Sequence, residues 1–211
     1  MAKVNLKGGA LLAPLPPVMV SCGNSETGET NIITVAWTGI INTKPPKTYI
    51  SVRPSRHSHH IIKESGEFVL NLATEELVKS TDYCGIYTGK KVDKFEKCKL
   101  TRAESSVVSC PSIGESPMSI ECKVTQIIPM ESHDMFLADI VAVTVDEGLL
   151  DKDGRLCLER AHLAAFVHGE YFSLGKKIGY FGFSTKKSGA KKHGKHKGRS
   201  KNEINRNSEK R

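Results

Sequence analysis

The densest chemistry in the chain lies at residues 51–60, SVRPSRHSHH, which hold two arginines, three histidines, three serines and a proline. The guanidiniums of Arg53 and Arg56 present forked donors that suit phosphate oxygens. Ser55 and Ser58 add hydroxyl donors, and His57 donates from either ring nitrogen when protonated. A strand ending at Val52 and a helix starting near Ser58 would leave free backbone N–H groups at 55–59, at the positive end of the helix dipole. Pro54 fixes the backbone where the chain leaves the strand. The stretch reads as a phosphate cradle, and a plain helix start with solvated arginines is the reading it leaves open by itself. Metal binding by His57, His59 and His60 is not expected, because adjacent helix residues point apart and no carboxylate or cysteine sits at ligand spacing.

These residues sit in a 211-residue chain of net charge +8. The charge is uneven: residues 184–211 carry eleven Lys/Arg against Glu203 and Glu209, so residues 1–183 are close to neutral. A domain over 1–183 and a basic, disordered tail over 184–211 are expected, since the tail has almost nothing apolar to offset the entropy of ordering. Weak nucleic-acid contact through that tail is the most its charge implies. No apolar run approaches a membrane span, and Pro14, Pro16 and Pro17 interrupt the N-terminal one, so a cytoplasmic protein with no membrane partner is expected. Six scattered cysteines without a C-x-x-C pair argue against a disulfide framework or zinc ribbon.

The elements that must position the cradle are mostly strands. Residues 17–23, 30–42, 47–53, 67–73, 118–129 and 135–150 are rich in β-branched and aromatic residues and are punctuated by Gly and Pro, with GNSETGET (23–30) suited to a hairpin. In 135–150, Phe136, Ala138, Ile140 and Ala142 alternate with Leu137, Asp139, Val141 and Val143, so both faces are largely apolar. Helices are expected at 58–65, at 74–85 with Thr74 as N-cap, and from 159 with a turn at Gly169. Many strands with few helices and no repeat point to an antiparallel barrel with helices packed outside it.

Five separated blocks occur in one order: N-x-x-T-x-x-W from Asn31, the Pro45-Pro46 pair, S-x-R-x-S-R-H from Ser51, Cys84-Gly85, and D-K-F from Asp93. Together they closely resemble the flavin reductase-like, FMN-binding split-barrel family, in particular its flavoredoxin branch, from about Pro16 to Gly182. The resemblance implies a mainly β fold with short helices, a six-stranded antiparallel Greek-key split barrel, and a homodimer with one FMN per subunit. It implies that Asn31, Thr34, Val35, Ala36 and Trp37 line the isoalloxazine ring, with Trp37 as an aromatic wall. Ser51, Arg53, Ser55, Arg56 and His57 would hold the phosphate and ribityl chain. Cys84, Gly85 and Lys94 would lie close to the cofactor, Gly85 by permitting close backbone approach. With no resolving partner nearby in sequence, Cys84 reads as a packing or cofactor-contact thiol. Thr88-Gly89 stands where the family often has Ser-Gly.

The activity so implied is NAD(P)H-dependent flavin or ferric reduction, with NADH or NADPH as electron donor and no residue required as a catalytic proton donor. A flavoredoxin-type electron carrier, reduced by a redox protein partner and lacking its own nicotinamide site, is the alternative. A non-catalytic nucleic-acid- or anion-binding barrel in which the tail does the work is a third. The sequence has no G-x-G-x-x-G fingerprint to choose a nicotinamide. Deleting residues 186–211 is expected to leave flavin content, dimerisation and melting temperature nearly unchanged; a large drop in melting temperature would show that the tail docks on the body.

Overall fold

A computed structural model describes residues 1–185; the basic tail expected from 184 lies, from residue 186 on, outside the described residues. The chain divides into two units, Met1–Gly175 and Lys176–Arg211. In the second, the described part holds a 3-10 turn at Phe183–Thr185, where the Tyr180 and Phe183 rings lie 6.0 Å apart. Among the described residues no helix is long and apolar enough to cross a membrane.

The first unit is built on strands β1 (Val18–Asn24), β2 (Glu29–Val35), β3 (Thr38–Thr43), β4 (Pro46–Val52) and β5 (Glu67–Leu72). Further on come two-residue β6 (Arg102–Ala103) and β7 (Ser112–Ile113), long β8 (Met118–Met130) and β9 (His133–Val145), and the hairpin β10 (Ala164–Val167) and β11 (Glu170–Ser173). Seven of these form one antiparallel sheet in the order β2-β1-β5-β8-β9-β4-β3. β2 and β3 stand at opposite ends of that order, yet only Ala36 and Trp37 separate them in the chain. The sheet must therefore curl until its ends meet, and the Ser51 N–H donates to the Trp37 carbonyl at 3.0 Å, carrying the β3–β4 ladder one residue past Thr38 to that join. This is a split barrel. The stretch 30–42, expected as one strand, breaks in two because its halves pair with opposite edges of the sheet, which gives seven strands where six were expected.

Inside the barrel Val18, Val20, Cys22, Ile33, Ile50, Phe68, Leu70, Cys122 and Phe136 pack as one cluster. Helix α1 (His57–Ser65) adds Ile61 and Ile62, both fully buried, to that same cluster. α1 thus plugs the interior, contrary to the expectation that the helices pack only outside. Gly66 ends it in the left-handed conformation (φ 68°), where a residue without Cβ is favoured. Helices α2 (Val78–Ile86) and α3 (Lys94–Cys98) do lie outside, packed through Leu77, Cys84 and Phe95 onto Met19 and Ile32.

Two helix expectations are corrected. α2 begins at Val78, because Thr74 is taken up in a β-bridge with Leu163. The segment from 159 forms a 3-10 turn (Leu158–Arg160) and then the β10–β11 hairpin. His168 and Gly169 both have positive φ (49° and 91°), the geometry of a tight hairpin turn, and Phe166 exchanges two backbone hydrogen bonds of 2.9 Å with Leu15. α3, which the strand and helix patterns did not show, is a single turn capped by the Asp93 carboxylate, which accepts the Glu96 N–H at 3.1 Å. The expected strand 135–150 stops at Val145 and gives way to a 3-10 turn.

Candidate flavin site

The joint between β4 and α1 takes the form its residue types suggested. Arg56 is the N-cap residue, but its side chain makes no capping bond, and the first turn of α1 holds no acidic residue. Of the N–H groups expected free at 55–59, those of Arg56 and His59 are taken up by the Arg53 and Arg56 carbonyls (2.9 and 3.0 Å), which tighten the turn. Those of His57 and Ser58 and the positive dipole remain as a seat for an anion. A cavity of about 200 Å³ opens there, lined by Asn31, Arg53, Ser55, Arg56 and His57, with Cys84 and Lys94 from α2 and α3 closing the far side.

Asn31, Lys94 and His57 are held by contacts of their own. The Asn31 amide donates to the Ser58 hydroxyl at 2.8 Å in a buried contact. Lys94, 3% exposed, donates to the carbonyls of Ile32 (2.6 Å) and Cys84 (2.9 Å), leaving one of its three hydrogens uncommitted by those bonds. Burial and the nearby Arg56 pull its pKa down, while the thiols of Cys84 and Cys22 oppose them. Burial pushes the Cys84 thiol up to about 12, and the Cys98 thiol lies within hydrogen-bonding reach of it. Cys84 is thus a protonated packing thiol with a neighbouring cysteine that sequence distance had hidden. All six cysteines are free.

His57 carries the most telling atom. Its Nε2 is 2.9 Å from Glu29, but its buried Nδ1 has no partner among the described residues. Burial lowers its pKa, helped by His60, Lys90 and Lys94 and opposed by Glu29. An unsatisfied buried nitrogen in a cavity rich in anion donors fits a phosphate that would supply the missing acceptor once the ring is protonated.

A second hollow, of about 460 Å³, shares Arg53 and Arg56 with the first and is walled by Thr34, Val35, Ala36, Trp37 and Ser51. Trp37 is 40% exposed and takes no part in the buried clusters, so plain core packing does not account for it. Its ring lies 4.6 Å from that of His133 at the tip of the β8–β9 hairpin. Burial, then Arg53 and Arg56, lower the pKa of His133 and favour a neutral imidazole beside the two cations. Gly85 lies in an adjoining hollow with Thr34 and Ala36, where an added Cβ would sit 3.3 Å from Thr34. All thirteen residues expected at the site therefore line one of these three neighbouring spaces.

The spaces are also lined by residues that were not expected there. Gly89 is packed so closely on the Asn31 amide that a Cβ would come 2.5 Å from its Cγ, so the Thr88-Gly89 pair shapes the cradle directly. Tyr87 and Thr88 line the same cavity. His133 and Phe166 border the larger hollow, the latter from the segment that had been read as helix.

The family "Flavin reductase like domain" matches residues 12–174. The chain belongs to this family. Among solved structures, it is similar to the flavoredoxin of Desulfovibrio vulgaris (Miyazaki F), with 30% identity and a TM-score of 0.81 over 88% of this chain and all of the other. An FMN-binding protein from Thermus thermophilus shares the fold at 21% identity and TM-score 0.70, over 85% of this chain and 97% of that one. An uncharacterised protein of Archaeoglobus fulgidus is 33% identical over 68% of this chain and 78% of its own length.

Proposed function

We propose that the protein is an FMN-dependent oxidoreductase of the flavin reductase type, taking electrons from NADH or NADPH and passing them to a flavin or ferric acceptor. The observation that carries this is the uncapped start of α1 with the unpaired buried Nδ1 of His57, opening beside a hollow walled by Trp37. Membership of the flavin reductase-like family supports a flavin-binding redox role. Bound there, FMN would supply the chemistry of hydride acceptance and onward electron transfer.

The chain's own residues would bind and orient. Arg53, Ser55, Arg56 and His57 would neutralise the phosphate, and Asn31, fixed by Ser58, would keep the cradle open. Residues 34–37 would offer backbone polar groups and one aromatic face to the ring. Arg53 and Arg56 border both spaces, which places positive charge beside whatever fills the larger one.

The test is titration of the purified protein with FMN, followed by steady-state oxidation of NADH and NADPH with FMN present. One FMN bound per chain and turnover with either nicotinamide support the proposal. Binding without nicotinamide oxidation would favour the electron-carrier reading, which the similarity to the Desulfovibrio flavoredoxin recommends. No FMN binding would overturn both.

A homodimer forms part of this proposal. Ile40, Ile41, Val141 and Val143 are exposed on β3 and β9, apolar side chains that a second subunit would cover. Opposite Glu121 and Cys122 of β8, β9 bulges at Val141, which has no register partner, so the simple alternation along β9 breaks at that point. Val143→Lys would bury an ammonium in the covered face at a cost of several kcal/mol. Light-scattering mass is expected to halve, with flavin absorbance falling alongside. A folded monomer that keeps stoichiometric FMN would place the site wholly within one chain.

A further inference from the structure

His57 and His60 are three residues apart on α1, so their rings leave one face of its first turn. Their Nε2 atoms lie 2.9 and 3.4 Å from the two carboxylate oxygens of Glu29, the first residue of β2. The three ligand atoms all fall within 4.8 Å of one another. Ligand spacing along the sequence gives no hint of this group, because the carboxylate comes from a strand on the far side of β3 and β4 in the chain. We propose that Glu29, His57 and His60 form a binding site for a divalent transition-metal ion, zinc or a chemical analogue of it.

Two imidazoles and one carboxylate are a known donor set for zinc, and the exposure of the Glu29 and His60 side chains (36% and 43%) leaves room for a water as fourth ligand. A metal takes its imidazoles in the neutral form. Without an ion, a His57 ring that donates its Nε2 hydrogen to Glu29 is left with a bare lone pair on its buried Nδ1. A metal on Nε2 moves the proton to Nδ1 and turns that atom into a donor at the edge of the cradle. Lys90 and Lys94 lie near enough to repel a second cation, so modest affinity is expected.

The test is a titration of full-length, flavin-free, EDTA-dialysed protein with Co²⁺, read by its visible d–d bands; with no flavin present, it is independent of the proposed reductase activity. One Co²⁺ per chain, with intense tetrahedral bands that Zn²⁺ abolishes, is expected. Glu29→Gln and His60→Ala should each weaken binding by at least the ~10- to 100-fold that loss of an outer partner costs, with the thermal midpoint retained. His60→Ala, at a part-exposed ring, decides the matter if Glu29→Gln does not fold. No saturable binding overturns the proposal. Equal binding by the variants also overturns it, and would assign the metal to other histidines such as His193 and His196.

Discussion

Arg56→Ala is expected to weaken FMN binding by about 1.5–3 kcal/mol, roughly 10- to 150-fold, while leaving riboflavin binding unchanged. The range is that of a hydrogen bond to a charged group, and it stays below the cost for a fully buried pair because Arg56 is exposed in the free protein. The fold should tolerate the change. The Arg56 side chain makes no capping bond to α1, and the backbone contacts that start the helix, its N–H to the Arg53 carbonyl and its carbonyl from the His59 N–H, do not depend on the side chain. Calorimetry with the two flavins separates the cases. Equal loss for both would show that Arg56 acts through the structure and does not contact the phosphate.

Lys94→Met is expected to lower both stability and flavin affinity. Methionine fills most of the stem's volume but leaves the Ile32 and Cys84 carbonyls without their donor, and each buried acceptor left unpaired costs about 1–3 kcal/mol. Relief of burying an ammonium, which lowers the Lys94 pKa, offsets part of that cost. A net loss of about 2 kcal/mol corresponds to a melting temperature lower by roughly 4–8 °C for a domain of this size. Flavin affinity should fall at least ~10-fold as well, since the cavity loses a cation and a donor. An unchanged melting temperature would mean that water satisfies both carbonyls and that Lys94 does not clamp α3 to the edge of β2.

Local chemistry in the sequence reached far at the β4–α1 joint. Pro54, the arginines and the serines predicted a strand, a turn and an anion-binding helix start, because these are short-range properties of the backbone and of side-chain donors. The strands could be read from β-branched content, and the β1–β2 hairpin from GNSETGET, where Gly28 takes a φ of 71°. The segment from 159 could not be read this way. Its Ala-rich start favours helix locally, but pairing of Phe166 with Leu15 fixes it as a hairpin that brings an aromatic ring to the site. The break at Ala36–Trp37 likewise depends on closure of the sheet, which no local propensity encodes.

The sequence by itself determined which residue types could offer a phosphate donors, most of the central strands and how the charge divides along the chain. Only the tertiary structure decided which distant groups meet. It brought Lys94 onto the Ile32 carbonyl, Gly89 against Asn31, His133 over Trp37, and Glu29 between two histidines. Each of these contacts joins residues far apart in the chain, and contacts of that range follow from how the elements pack in three dimensions, which pattern and propensity along the chain do not specify.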